Sequence, residues 1–187
     1  MLIFLIVLAV IPVAILLWLA GAFNGLVRLR NQVRNAWAQI DVQLKRRWDL
    51  IPNLLETVKG YTKHEAETLQ RVTEARAAAQ GVPEGNIGQR IQAEGELSAA
   101  LGRLMVVVEA YPDLKANQNY LALQEELTST ENRIGFARQF YNDSVMKFNN
   151  RTEVFPTNVV AGVFNFKTAE FFELKEEAAR GAPKVSF

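Results

Sequence analysis

The chain contains no cysteine and a single histidine, His64. Thiol catalysis, disulfides and thiolate metal sites are therefore excluded. One histidine cannot supply a His-x-x-x-His zinc pair, and His64-Glu65 lacks the second ligand. The two Glu-x-x-His pairs of a bundle-type di-iron site are also missing. No Walker-type loop or glycine-rich strand-to-helix turn is present, since Gly85-Asn86-Ile87-Gly88 is short and no strand precedes it. Nor does any stretch alternate with period two over more than a few residues, which argues against sheet. These absences leave no cofactor to expect and no nucleophile–base–oxyanion constellation, so the sequence reads as a non-enzyme.

Charge is absent too, but only locally. No residue from Met1 to Val27 is ionisable in its side chain, and Leu2–Leu19 is apolar throughout. That is long enough for a helix to cross the roughly 30 Å hydrocarbon layer of a bilayer. The alternative is a secretory signal peptide, for which Ala20-Gly21-Ala22 has suitable cleavage-site spacing. A positive n-region is missing, however, and the apolar run exceeds a typical h-region. The reading is a retained anchor over residues 1–23. Arg28, Arg30 and Arg34 follow it, which by the positive-inside rule puts the C-terminal side in the cytoplasm and the N-terminus outside. These arginines would also attract anionic headgroups. Gly21 and Gly25 form a Gly-x-x-x-Gly at the end of the span, either a close-approach face for a second membrane helix or a hinge.

Beyond the anchor the chain reads as helices. Leu26, Val33, Ile40, Leu54 and Tyr61 recur at multiples of seven, with Arg47 at the missing step. Trp37, Leu44, Ile51 and Val58 form an offset row on the same face, a coiled-coil-like stripe suited to bundle or subunit packing. The pattern continues through Leu69, Val72 and Ala79, which predicts one helix over 24–80, about 85 Å long and kinked at Pro52. A glycine-rich loop at 81–88 precedes a second helix over 89–110, and Tyr111-Pro112 precedes a third over 116–154. A short fourth helix after Phe155-Pro156 is expected to carry Val159, Val160, Val163 and Phe164 on one face, in a segment holding Phe155, Phe164, Phe166, Phe171 and Phe172; these either cap the core or meet the membrane surface or a subunit. The predicted fold is all-α: a transmembrane helix continuing into an antiparallel up-and-down bundle over 24–173, then a flexible polar tail over 174–187. Carboxylate pairs such as Glu94 with Glu96 and Glu125 with Glu126 read as solvated surface. Lys45-Arg46-Arg47-Trp48 is too isolated to indicate nucleic-acid binding.

The segment NQVRNAWAQIDVQLKRRWDLIPNLLETVKGY at 31–61 closely resembles the signature of the LemA family. The resemblance continues through VEAYPDLKANQNYLALQEELTSTENRI at 108–134 and ARQFYNDSVMKFNNR at 137–151, followed by Phe155-Pro156. It implies bacterial origin, a membrane anchor and a helical bundle, and it brings no catalytic residues. Thr152 and Asn165 depart from the family pattern, where an apolar residue and a glycine are usual. Together these readings predict a single-pass protein of the bacterial inner membrane. It would form a homo-oligomeric scaffold through the part of its first helix that shorter partners leave uncovered. Its expected partners are its own copies and anionic lipids, with another membrane protein as a further candidate, but not nucleic acid. The alternative is an anchored adaptor that docks a protease or sensor kinase.

Overall fold

The computed structural model describes residues 2–62, 65–83 and 85–173, with side-chain surroundings from Val10 onward; His64 and the tail over 174–187 lie outside the described residues. Among the described residues every regular element is helical: α1 (Leu2–Lys59), α2 (Ala66–Gly81), α3 (Ile87–Val108), α4 (Pro112–Lys115), α5 (Gln118–Glu153) and α6 (Thr157–Val163). The chain is all-α, with an apolar N-terminal helix long enough to cross a membrane. It divides into two compact units, Met1–Leu44 with Asn132–Phe171 and Lys45–Glu131 with Phe172–Phe187.

The predicted helix over 24–80 is two helices. The first ends at Lys59, and the second begins at Ala66. Gly60 is a poor helix former. Just beyond it the Tyr61 and Thr62 amides both donate to the Val58 carbonyl, at 3.0 and 3.1 Å, and the Thr62 hydroxyl donates to it as well. This winds up the end of α1 instead of propagating it. Val72 and Ala79, predicted as a continuation of the stripe, belong to the partner that covers it. Both are fully buried in one cluster with Ile51, Leu54 and Val58. The length mismatch that made an uncovered first helix an argument for oligomerisation is thereby removed.

In the second unit the polar contacts set the direction of each helix. Arg46 meets Glu126 and Tyr61 meets Asn117, so α5 runs antiparallel to α1. Arg47 meets Glu94 and Tyr111 meets Glu65, so α3 runs parallel to α1. The Arg76 side chain donates to the Trp48 carbonyl, and α2 packs extensively on α3. The result is up, down, up and down around Leu54, Leu97, Leu104 and Leu114, all fully buried. The turn between α2 and α3 places Gly85 at φ +88°, where a side chain would be strained, and Asn86 caps α3 by accepting from the Gln89 amide.

In the first unit Trp37 lies edge-on to Tyr141, at 5.3 Å between ring centroids, and Phe23 meets the rings that follow α6. Rising numbers on α1 thus face falling numbers on α5, the geometry of an antiparallel pair. The chain after α6 returns along α5. Asn149 clamps the Ala169 backbone by donating to its carbonyl and accepting from its amide, and the Tyr141 hydroxyl donates to the Glu170 carbonyl at 2.8 Å. Burial and the nearby Glu170 carboxylate push the Tyr141 phenol up to about 12, so it remains a donor at any ordinary pH.

Candidate functional site

Two constellations stand out, one in each unit. In the first unit the bare apolar part of α1 gives way to packing. From Val10 to Gly21 no side chain is buried, and Leu17 is 70% exposed. Only 11% of the apolar window is buried, whereas the core helix of a soluble protein would be mostly covered. Burial begins at Ala22 and continues through Leu26, Val33, Ala36, Ile40 and Leu44, in steps of three, four and seven. In the second unit the same stripe goes on through Arg47, Ile51, Leu54 and Val58. Ala36, not its neighbour Trp37, is fully buried in the offset row, and Trp37 is half-buried. The stripe residues thus lie against the chain's own helices.

Arg28, Arg30 and Arg34 are all exposed, and the Arg30 guanidinium lies 5.1 Å from the centroid of Phe166. Gly21 and Gly25 face open space: a Cβ at either would meet nothing within 4 Å. The four aromatics separate. Phe166 is half-buried between Phe23 and Phe148, Phe172 is buried, and Phe164 and Phe171 are exposed.

The second constellation is a buried ion pair. Arg47, at the missing step of the stripe, is 1% exposed. One terminal nitrogen donates to Glu94 Oε2; the other donates to Glu131 Oε1 at 2.5 Å and Ser98 Oγ at 3.0 Å. The remaining Glu94 oxygen accepts from the Trp48 indole at 3.0 Å, and Arg90 stacks over the Trp48 ring. Burial pushes the Glu94 carboxyl above its ordinary value of 4.5, against the pull of Arg47, Trp48 and Arg90.

This overturns the reading of Glu94 as solvated surface, since it is 3% exposed and inside α3's apolar stripe with Leu97 and Leu101. Its companions Glu96 and Glu125 are exposed, as expected. The arrangement also breaks up the Lys45–Trp48 cluster: Arg47 points into the core, Trp48 is committed to Glu94, and Arg46 is paired with Glu126. A carboxylate so enclosed and partnered is built to hold helices together. The sequence signal was a charge of each sign at a core position of two different stripes, Arg47 on α1 and Glu94 on α3. Among the described residues no three histidine, aspartate or glutamate side chains converge as a metal site.

Comparison with known proteins covers most of the chain, beginning within α1. The family model of the LemA family matches residues 36–187. The chain belongs to the LemA family. Among curated relatives of this LemA-family chain, Protein LemA of Metamycoplasma hominis is 28% identical over 156 residues, covering 83% of the chain and 71% of the relative. Magnetosome protein MamQ 2 of Paramagnetospirillum magneticum is 28% identical, covering 87% of the chain and 69% of the relative. Magnetosome protein MamQ of Magnetospirillum gryphiswaldense is 26% identical over the same shares. With its bare apolar helix, this LemA-family chain is a membrane-associated helical protein.

Proposed function

We propose that this LemA-family chain is a non-enzymatic, single-pass membrane protein whose helical domain self-associates into a scaffold that organises or shapes the bilayer. The carrying observation is α1 itself. One helix runs from Leu2 to Lys59, with no buried side chain from Val10 to Gly21 and a stripe of buried residues from Ala22 onward. A helix of that kind joins a lipid environment to a packed domain without a hinge. The exposed Arg28, Arg30 and Arg34 on its C-terminal flank favour a cytoplasmic domain at the bacterial inner membrane, each attracting anionic headgroups at ~1 kcal/mol. Replacing all three by alanine should give a mixed orientation, read by accessibility of a cysteine introduced at Val106. A wholly unchanged orientation would refute the charge rule here.

Two surfaces support self-association. Gly21 and Gly25 are open to a second span. In the first unit Val42 (63% exposed), Phe136 (72%) and Phe140 (42%) line a shallow groove of about 430 Å³ with Gln39, Gln43 and Arg133. Contiguous exposed aromatics of this kind mark interaction surfaces. The full-length protein extracted with native lipid should appear as closed or stacked assemblies by single-particle imaging, and Phe136→Glu should reduce them to single copies. A wild-type monomer would overturn the scaffold reading, and a monomer with one stoichiometric companion protein would turn it into an adaptor.

A further inference from the structure

The segment from Val154 to Phe166 carries no charged residue, and it leaves much of its apolar surface in the open. Thr157, Val160 and Ala161 turn inward from α6, so Val160 parts from Val159, Val163 and Phe164, with which its spacing groups it. The opposite side presents Phe155 (78% exposed), Val159 (56%), Val163 (74%) and Phe164 (54%), with Val154 (57%) just before them. Singly exposed apolar side chains are ordinary, but five within eleven residues form a patch.

The cap of α6 explains why this patch faces outward. Asn165 adopts φ +55°, the left-handed conformation that closes a helix. The Asn165 amide donates to the Gly162 carbonyl at 3.2 Å, and the Phe166 amide donates to the Ala161 carbonyl at 2.9 Å, the two bonds of a Schellman cap. The reversal sends Phe166 back between Phe23 and Phe148 while Phe164 stays outside. Asparagine is one of the few residues that tolerate this conformation in place of glycine.

The patch has a definite place on the molecule. The Phe164 ring lies 4.7 Å from that of Phe23, and Ala22 and Leu26 beside it are the first two buried side chains of α1 from Val10 onward. α6 therefore sits where α1 stops being bare. Exposed charged residues flank it, mostly basic: Arg28 and Arg30 on α1, Arg151 and the single acid Glu153 before the patch, and Lys167 after it, with Arg30 against Phe166. An apolar face whose flanking charges are mostly cationic, at the level where an apolar helix ends, matches the chemistry of the headgroup–acyl boundary.

We propose that the face of Phe155, Val159, Val163 and Phe164 is a membrane foot that inserts into the leaflet from which α1 emerges. This rests on the reading that α1 spans the bilayer. The foot would give the domain a second attachment beside the span, and so limit its swivel on a single helix. A second copy of the chain is the competing occupant. Continuity with the bare helix favours lipid, because any protein anchored through α1 holds this face at the bilayer surface.

Because the chain lacks cysteine, single labels can be placed at will. Full-length variants Phe155→Cys, Val159→Cys and Val163→Cys would carry an environment-sensitive fluorophore in vesicles of phosphatidylcholine and phosphatidylglycerol. Val106→Cys on α3, 73% exposed, is the matched control for Val163, and Leu17→Cys reports the span. All three substitutions replace exposed side chains, and three positions guard against any one failing to fold. Quenching by lipids labelled at a shallow acyl position should be about threefold or more stronger at the foot positions than at Val106. Iodide in the water should quench Val106 and spare the foot. Leu17 quenched from the bilayer centre, with the foot positions as open to iodide as Val106, would overturn the foot while leaving the span intact. Foot labels shielded from both quenchers would show a protein partner there and overturn it equally. An unquenched Leu17 would fail the spanning reading itself, and the foot with it.

Discussion

Replacing Arg47 by alanine is expected to lower folding stability by about 3–5 kcal/mol, because it strands the Glu94 carboxylate in the core without its counter-charge. Glu94 is 3% exposed and holds Trp48 as its other donor, so neither water nor a new partner can reach it without disturbing α3. Glu94→Ala should be comparably damaging from the other side. Arg47 would retain only Ser98 and the exposed Glu131. The double variant Arg47→Met/Glu94→Leu should recover most of the loss, since replacing both members of a buried pair by apolar residues is often neutral or stabilising. Chemical denaturation of the full-length protein in mild detergent, followed by circular dichroism, reads all of these. A single-variant loss below about 1 kcal/mol would mean that the pair is not buried as described.

The pH dependence carries a definite sign. Burial raises the Glu94 carboxyl above its ordinary value, so the folded state holds that proton more tightly than the unfolded chain does. This contribution is fully present below the ordinary value of 4.5 and is lost as pH rises through the raised one. Glu94→Gln should remove it, leaving a stability profile that declines less across that window. A profile that instead improves as pH rises through this range, and does so only with Glu94 present, would contradict the direction.

Leu54→Ala is expected to cost about 2–5 kcal/mol. Leu54 is fully buried on α1 within the cluster that includes Val72, Leu97 and Leu104 from α2 and α3. Three helices converge on it, so no single neighbour can shift to close the space, and the loss should fall in the upper part of that range. Leu121→Ala, at a site 49% exposed on α5, is the control and should stay within about 0.5 kcal/mol. Equal effects at the two positions would mean that the α1 stripe is not the centre of the second unit.

The stripe was legible because it belongs to one helix. Leu26, Val33, Ile40, Leu44, Ile51, Leu54 and Val58 are readable from their spacing and each is buried, whereas Trp37 in the same rows is half-buried and Tyr61, past the end of α1, is exposed. The break at Gly60 was less legible, for the same reason. Val72 and Ala79 keep the seven-residue step, and such a step looks the same whether the chain goes straight on or turns back to cover itself. The sequence carried a glycine there and a weakening pattern, but no proline, so the turn went unread.

Arg47 and Glu94 fail differently. Each breaks the apolar pattern of its own helix, and read singly each looks like a solvated charge. Only their juxtaposition, 47 residues apart in the chain, makes either one intelligible as a core residue. The phenylalanines of the last segment also look alike in composition. Phe166 turns inward because the left-handed Asn165 reverses the chain before it, and Phe164, one residue earlier, remains outside.

By itself, then, the sequence determined the all-helical class, the apolar N-terminal helix with its basic flank, most of the buried stripe and the family. Each of these is written in local period, composition or residue order, which survive without neighbours. The tertiary structure alone decided where the first helix ends, which charged residues enter the core and which aromatics stay in the open. Those are properties of whatever packs against a face, and a single helix carries no record of its partner.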